Sequence, residues 1–157
     1  MTLAISSSPD APSTAPSTAP STAQSGPFAR FAPHVARVLL GLCFFVFGLD
    51  GFLHFFPRPA PGTMPHGAEA FGAALVATGY MLPLIKGTEV VVGALLLSNR
   101  FVALALVLLA PVVVNIVCFH AFLAPSGVVL PIVIALLGLA LAWTRRDAYR
   151  ALLRPRA

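Results

Sequence analysis

Charged side chains are scarce in this chain of 157 residues, since only 10% of them are Asp, Glu, Lys or Arg. Soluble domains carry about 25% charged residues, whereas 58% of this chain is hydrophobic and its mean hydropathy is +0.90. A soluble domain of this size leaves about a third of its surface in water. The scarcity of charge therefore argues against an ordinary soluble domain and predicts a membrane protein.

Cysteine is also scarce, with Cys43 and Cys118 the two in the chain. No CxxC pair, haem-attachment motif or iron–sulfur spacing is present, and no cysteine–histidine cluster has the spacing of a zinc site. We therefore expect no redox or metal centre built from this chain's own ligands. Each cysteine is expected to be a buried apolar residue, unpaired with the other.

Acidic residues number five against ten basic ones, which gives a net charge of +5. Five of the basic residues lie in the last thirteen positions: Arg145, Arg146, Arg150, Arg154 and Arg156. Because no basic stripe interleaved with aromatic residues occurs elsewhere, we expect no nucleic-acid partner. The cluster predicts a basic cytoplasmic tail over residues 145–157 that marks the orientation of the chain in the bilayer.

Large apolar side chains are few in residues 1–27, where Ala11 to Ala23 reads APSTAPSTAPSTA. A segment rich in Ala, Pro, Ser and Thr cannot offset the entropy lost on ordering, so it predicts a disordered tail. It lacks the basic start and apolar core of a secretory signal peptide.

Long apolar runs follow, and their lengths predict an all-α fold, a four-helix transmembrane bundle over residues 34–144. A short helix over Ala68 to Gly79 is expected at the membrane interface, or as a re-entrant segment, between spans 1 and 2. Lys and Arg counts favour cytoplasmic termini, because Arg30, Arg37, Arg100 and the five tail arginines would lie inside and Arg58 alone outside. The four predicted spans are His34 to Phe56, Tyr80 to Ser98, Arg100 to Leu123 and Val128 to Trp143.

Six polar residues interrupt these spans, although an Asp or Lys at mid-membrane costs about 2.5–3.5 kcal/mol. At about 1.5 Å per residue, all of them fall in the outer half of the bilayer. They predict one buried polar network in which Lys86 and Glu89 neutralise each other or pair with Asp50 and His54. The set is Asp50, His54, Lys86, Glu89, Asn115 and His120.

Helical spacing assigns faces to these residues. Asp50 and His54 share one face, as do Lys86 and Glu89. Asn115 and His120 are about 140° apart at 3.6 residues per turn, so only one is expected to point inward unless Pro111 twists the helix. On the first span, Gly41 and Gly48 form a largely separate stripe, which predicts close approach of another helix.

Several separated motifs are similar to those of the DoxX family of small bacterial membrane proteins. They are GLDGFLHFF, TGYMLP, the Lys86-x-x-Glu89 pair, NRF at Asn99 to Phe101, and APVVVN followed by His120. The similarity covers about Arg37 to Leu153. It implies a four-helix protein of the bacterial inner membrane, and links some relatives to quinone-dependent sulfur oxidation and to membrane redox complexes. The resemblance carries no set of catalytic residues.

Three functional hypotheses stay open at this point. The network could fix helix register in an accessory or scaffold subunit of a membrane redox system. It could bind a quinone-like head group or relay protons for a membrane oxidoreductase partner. It could also serve a small-molecule or proton-coupled transporter, or a binder of lipid-soluble ligands. We expect no stand-alone enzyme and no resident cofactor, although a bound quinone stays possible and haem between His54 and His120 is disfavoured. The partner could also be a second copy of the chain, in a homo-oligomer.

Overall fold

The computed structural model describes residues 27–152, and this part of the chain is all helix, without a strand. The predicted all-α class is confirmed. The predicted disordered tail, apart from Pro27, and the last five residues of the predicted basic tail lie outside the described residues. The helices are α1 (Pro27–Leu53), α2 (His66–Ala77), α3 (Met81–Leu97), α4 (Val102–Phe122), α5 (Val129–Thr144) and α6 (Arg146–Leu152), with a 3₁₀ turn at Pro125–Gly127.

By length and composition, two helices of the described part could cross a membrane: Phe31–Leu53 within α1, and α4. A third candidate arises if α2 and α3 count as one broken span. With 17 and 16 residues, α3 and α5 are about 26 Å and 24 Å long, short of the roughly 30 Å hydrocarbon core. The structure thus supports two to three spans on this measure, where the sequence predicted four.

A short helix is present between the first two long ones, as the sequence predicts. The axis of α2 meets that of α3 at 91°, and Gly79 makes the corner with φ of 75°, which a residue with a side chain rarely adopts. The Thr78 hydroxyl donates to the Leu75 carbonyl at 2.7 Å and accepts the Met81 amide at 3.0 Å. These bonds end α2 and begin α3 within four residues.

Helices α1 and α3 pack closely through glycines. The predicted stripe on α1 is confirmed, since a Cβ at Gly48 would lie 2.7 Å from the backbone nitrogen of Val90 and one at Gly41 would lie 3.0 Å from Leu97. On the facing side of this contact, Gly93 of α3 lies against α1, and a Cβ there would lie 2.5 Å from the backbone nitrogen of Phe45. The core beside this contact is apolar and includes Leu40, Phe44, Val92, Leu96, Leu109 and Leu141.

One end of the bundle, here called the arginine end, carries Arg37, Arg100, Arg145 and Arg146. The Arg37 guanidinium donates to the carbonyls of Leu96 and Leu97 at the end of α3, whose last carbonyls lack helical partners. At the same end, the Tyr149 hydroxyl of α6 donates to the Ala103 carbonyl of α4 at 3.2 Å. The basic residues thus gather where α3 and α5 end and α4 begins.

Candidate functional site

Lys86 and Glu89 of α3 form an ion pair, with 2.8 Å between Nζ and Oε2. Three residues apart on a helix, they lie on one face. Glu89 is 3% exposed, and the Lys86 side chain is 23% exposed. The stem of Lys86 lies against Gly51 of α1, where a Cβ would overlap it. The pair neutralises itself, which is one of the two arrangements that the sequence left open.

This ion pair forms part of the wall of a cavity of about 220 Å³, called here the polar cavity. Helices α1, α3, α4 and α5 all contribute, and His120 is its third polar side chain. The remaining lining is apolar, apart from one thiol: Cys43, Phe44, Phe47, Ile116, Leu130, Pro131 and Ile134. A concave, largely apolar space with a few convergent polar groups is the usual form of a small-molecule site.

His120 presents one ring nitrogen to its own helix. Its Nδ1 lies 2.9 Å from the Ile116 carbonyl, and because a carbonyl can only accept, Nδ1 carries the hydrogen. Nε2 lies on the side of Gly127, where a Cβ would come within 3.2 Å of it. The ring also meets the Phe119 ring edge-on, with 5.1 Å between centroids. Nδ1 is thus engaged within α4, and Nε2, which has no hydrogen-bond partner among the described residues, is the ring nitrogen that can accept a hydrogen bond.

Asp50 has a different partner from those that the sequence predicted. It is 6% exposed; its Oδ1 accepts the Phe56 amide at 2.8 Å, and its Oδ2 lies 3.4 Å from Arg58 Nη2. The sequence analysis did not predict this role for Arg58, which it used only in counting basic residues on each side of the membrane. The available signal was proximity, because Arg58 is the one basic residue within eight positions after Asp50.

His54 and Asn115 lie outside the polar cavity, so the six residues do not form one buried network. Helix α1 ends at Leu53, three residues before the predicted end, and His54 turns away with φ of 52° and an exposed side chain. The expected i, i+4 face with Asp50 is therefore lost. Asn115 is exposed on α4, and the residue of that pair that points inward is His120.

Asp50 ties the loop after α1 to the bundle, and its loss should free that loop. In Asp50→Ala the Phe56 amide and the Arg58 guanidinium lose the carboxylate that they share, although Arg58 keeps its bond to the Asp50 carbonyl at 3.3 Å. We therefore expect faster amide hydrogen exchange over residues 54–65. Arg58→Gln should have a smaller effect, because the Arg58 side chain is 57% exposed and exposed pairs contribute about 0–1 kcal/mol. Equal exchange in Asp50→Ala and the unaltered chain would contradict this role.

Within residues 27–152, no group of three or more His, Cys, Asp or Glu residues could hold a metal ion. Both cysteines are free thiols; Cys43 is half-buried at the polar cavity and Cys118 is exposed. The expected burial therefore fits Cys43 in part and is wrong for Cys118.

Comparisons with other proteins do not identify the chain. No family model, curated protein or solved structure matches it. The geometry of the polar cavity therefore carries the functional conclusion.

Proposed function

We propose that this chain is an integral membrane protein that binds a lipid-soluble small molecule in the polar cavity. One observation carries this proposal: a Lys86–Glu89 ion pair and His120 converge on about 220 Å³ of otherwise largely apolar space between four helices. A charged pair is costly in hydrocarbon. Because this pair borders an open space and is not covered by other side chains there, its hydrogen-bonding groups are available to a ligand.

The membrane arrangement that fits this proposal is a four-span bundle of α1, α3, α4 and α5, with α2 along the surface. Tilting is not needed for α3 and α5, since short helices are accommodated by local thinning of the bilayer. The arginine end faces the cytoplasm of a bacterial inner membrane, because Lys and Arg are enriched in cytoplasmic loops. The polar cavity then lies toward the outer leaflet.

The ligand class that suits these walls is a quinone-like head group. The carbonyl oxygens of its oxidised form can accept a hydrogen bond from Lys86 Nζ, and a hydroxyl group of its reduced form can donate one to His120 Nε2. Phe44 and Phe47 line the same space and offer apolar surface to a ring. Together with the motifs that resemble those of the DoxX family, this supports an accessory subunit of a membrane redox system that acts with an oxidoreductase partner.

A structural role is the second candidate, and one contact favours it. The stem of Lys86 fills the notch at Gly51, so the ion pair also joins α1 to α3. Under that hypothesis the double variant Lys86→Met, Glu89→Leu would keep both fold and function. Under ligand binding it would keep the fold and lose the ligand.

Substitution of His120 tests ligand binding directly. His120→Phe keeps a ring against Phe119 but removes both nitrogens, so we expect a short-chain ubiquinol, whose hydroxyl can donate to Nε2, to bind roughly tenfold more weakly, the loss of about one hydrogen bond. Affinity is measured on the full chain in detergent by native mass spectrometry across a titration.

Asn115→Leu is the matched control. It removes a polar side chain from the same helix, at a position that does not line the polar cavity, and it should leave the affinity unchanged. Equal affinities for His120→Phe and Asn115→Leu, or no saturable binding to the unaltered chain, would overturn the proposal.

A further inference from the structure

An open groove of about 450 Å³ runs between α4 and α5, on a different part of the bundle from the polar cavity. Its walls are aliphatic along their length, including Leu106, Ala110 and Val114 of α4 and Ala135, Gly138 and Leu139 of α5. From Leu106 to Val114 the groove extends about 12 Å, close to the roughly 15 Å of one bilayer leaflet. Its dimensions fit a single alkyl chain.

The groove lies in the half of the bundle nearest the arginine end, and Tyr149 of α6 closes it there. Burial raises the pKa of Tyr149, and nearby Arg145 partly opposes this. The hydroxyl thus stays protonated and keeps α6 on α4 through its bond to the Ala103 carbonyl. The aliphatic groove therefore ends beneath α6, a short helix that carries basic residues.

Two of these cations have no acidic partner. Within residues 27–152, Arg150 pairs with Asp147 at 3.5 Å, whereas neither Arg145 nor Arg146 forms an ion pair. Arg146 stacks over the Trp143 ring at 5.9 Å, and a tryptophan at a helix end is typical of the headgroup level of a membrane. Unpaired guanidinium groups at this level complement a phosphate.

We propose that the α4–α5 groove is a binding site for an anionic phospholipid, with one acyl chain in the groove and the phosphate at Arg145 and Arg146. The site rests on the membrane insertion in the proposed function, but not on the ligand of the polar cavity. Juxtamembrane Lys and Arg attract anionic lipid by about 1 kcal/mol each. The groove adds a fixed place for the chain of that lipid.

A second copy of the protein is the main competing occupant, and the charges disfavour it. Copies inserted in the same orientation are related by an axis along the membrane normal, so a symmetric contact brings the same patch of each together. Arg145 and Arg146 would then face their equivalents, and opposed like charges weaken an interface. An anionic lipid meets the same surface with the complementary charge.

Gly138 allows the groove to be filled without disturbing the helices, because a Cβ there would meet nothing within 4 Å. We expect Gly138→Leu to abolish most of the phosphatidylglycerol retained by the full chain on release from nanodiscs of equimolar phosphatidylglycerol and phosphatidylcholine. Retained lipid is counted by native mass spectrometry. The matched control is Gly87→Leu on α3, which also opens into free space and lines neither cavity.

A second variant tests the role of the two arginines in binding the phosphate. Arg145→Gln with Arg146→Gln should lower the preference for phosphatidylglycerol over phosphatidylcholine by roughly tenfold, whereas Arg58→Gln at the other end should not. Equal retention of the two lipids by the unaltered chain would overturn the proposal, as would dimers that Gly138→Leu converts to monomers. Ubiquinone binding, measured in the same nanodiscs, should survive Gly138→Leu, which separates failure of this site from failure of the polar cavity.

Discussion

Lys86→Met alone should destabilise the folded chain by about 3–5 kcal/mol, the cost of stranding one partner of a buried ion pair. Glu89 is 3% exposed and its carboxylate oxygen Oε2 lies 2.8 Å from Lys86 Nζ. Among the described residues no other cation pairs with Glu89. The measurement is equilibrium unfolding of the full chain in mixed micelles, with the amount inserted in the membrane as a second readout.

The double variant Lys86→Met, Glu89→Leu separates charge from shape. It removes both charges and keeps most of the volume, and such replacements of buried pairs are often neutral or stabilising. We therefore expect the stability of the double variant to return to near that of the unaltered chain, while ubiquinone affinity stays low. A single variant as stable as the unaltered chain would mean that Glu89 is solvated in the folded protein.

The helices were largely predictable from the sequence, because apolar length and proline positions indicate them. The residues at which the helices begin and end were harder to predict. Helix α1 begins at Pro27, seven residues before the expected His34, and runs through Pro33. It ends early, at Leu53, because the Asp50 carboxylate captures the Phe56 amide and the chain reverses at His54. Hydropathy does not report such a local side-chain bond.

The candidate site was predictable in part. Helical spacing indicates that Lys86 and Glu89 share a face and that only one of Asn115 and His120 can point inward. Which one does depends on the rotation of α4, which is set by burial of Leu106 and Leu109 against the core. The partner of Asp50 escaped prediction because Arg58 returns through a loop, whose path has no periodicity to read.

Close packing of α1 and α3 depends most on a glycine that the sequence analysis did not single out. Gly41 and Gly48 are seven residues apart on α1, which shows as a stripe. Gly93 stands alone on the facing side of α3, beside the backbone of Phe45. A single small residue carries no pattern, so its role follows only from the packed structure.

Gly93→Ala should therefore separate α1 from α3. Its Cβ would lie 2.5 Å from the nitrogen and 2.7 Å from the Cα of Phe45, and backbone atoms cannot move aside as a flexible side chain can. Overpacking of this kind costs about 1–3 kcal/mol, occasionally more. We expect lower unfolding stability in mixed micelles and also weaker ubiquinone binding, since Phe44 and Lys86 reach the polar cavity from these two helices.

Gly87→Ala is the control that distinguishes packing from helix propensity. It makes the same change on the same helix, six residues away, where a Cβ would meet nothing within 4 Å. Because alanine is favoured over glycine within helices, stability should stay level or rise. If Gly93→Ala behaved like Gly87→Ala in both readouts, the two helices would not be in backbone contact. The distance between α1 and α3 across the polar cavity would then have to be set by contacts other than Gly93.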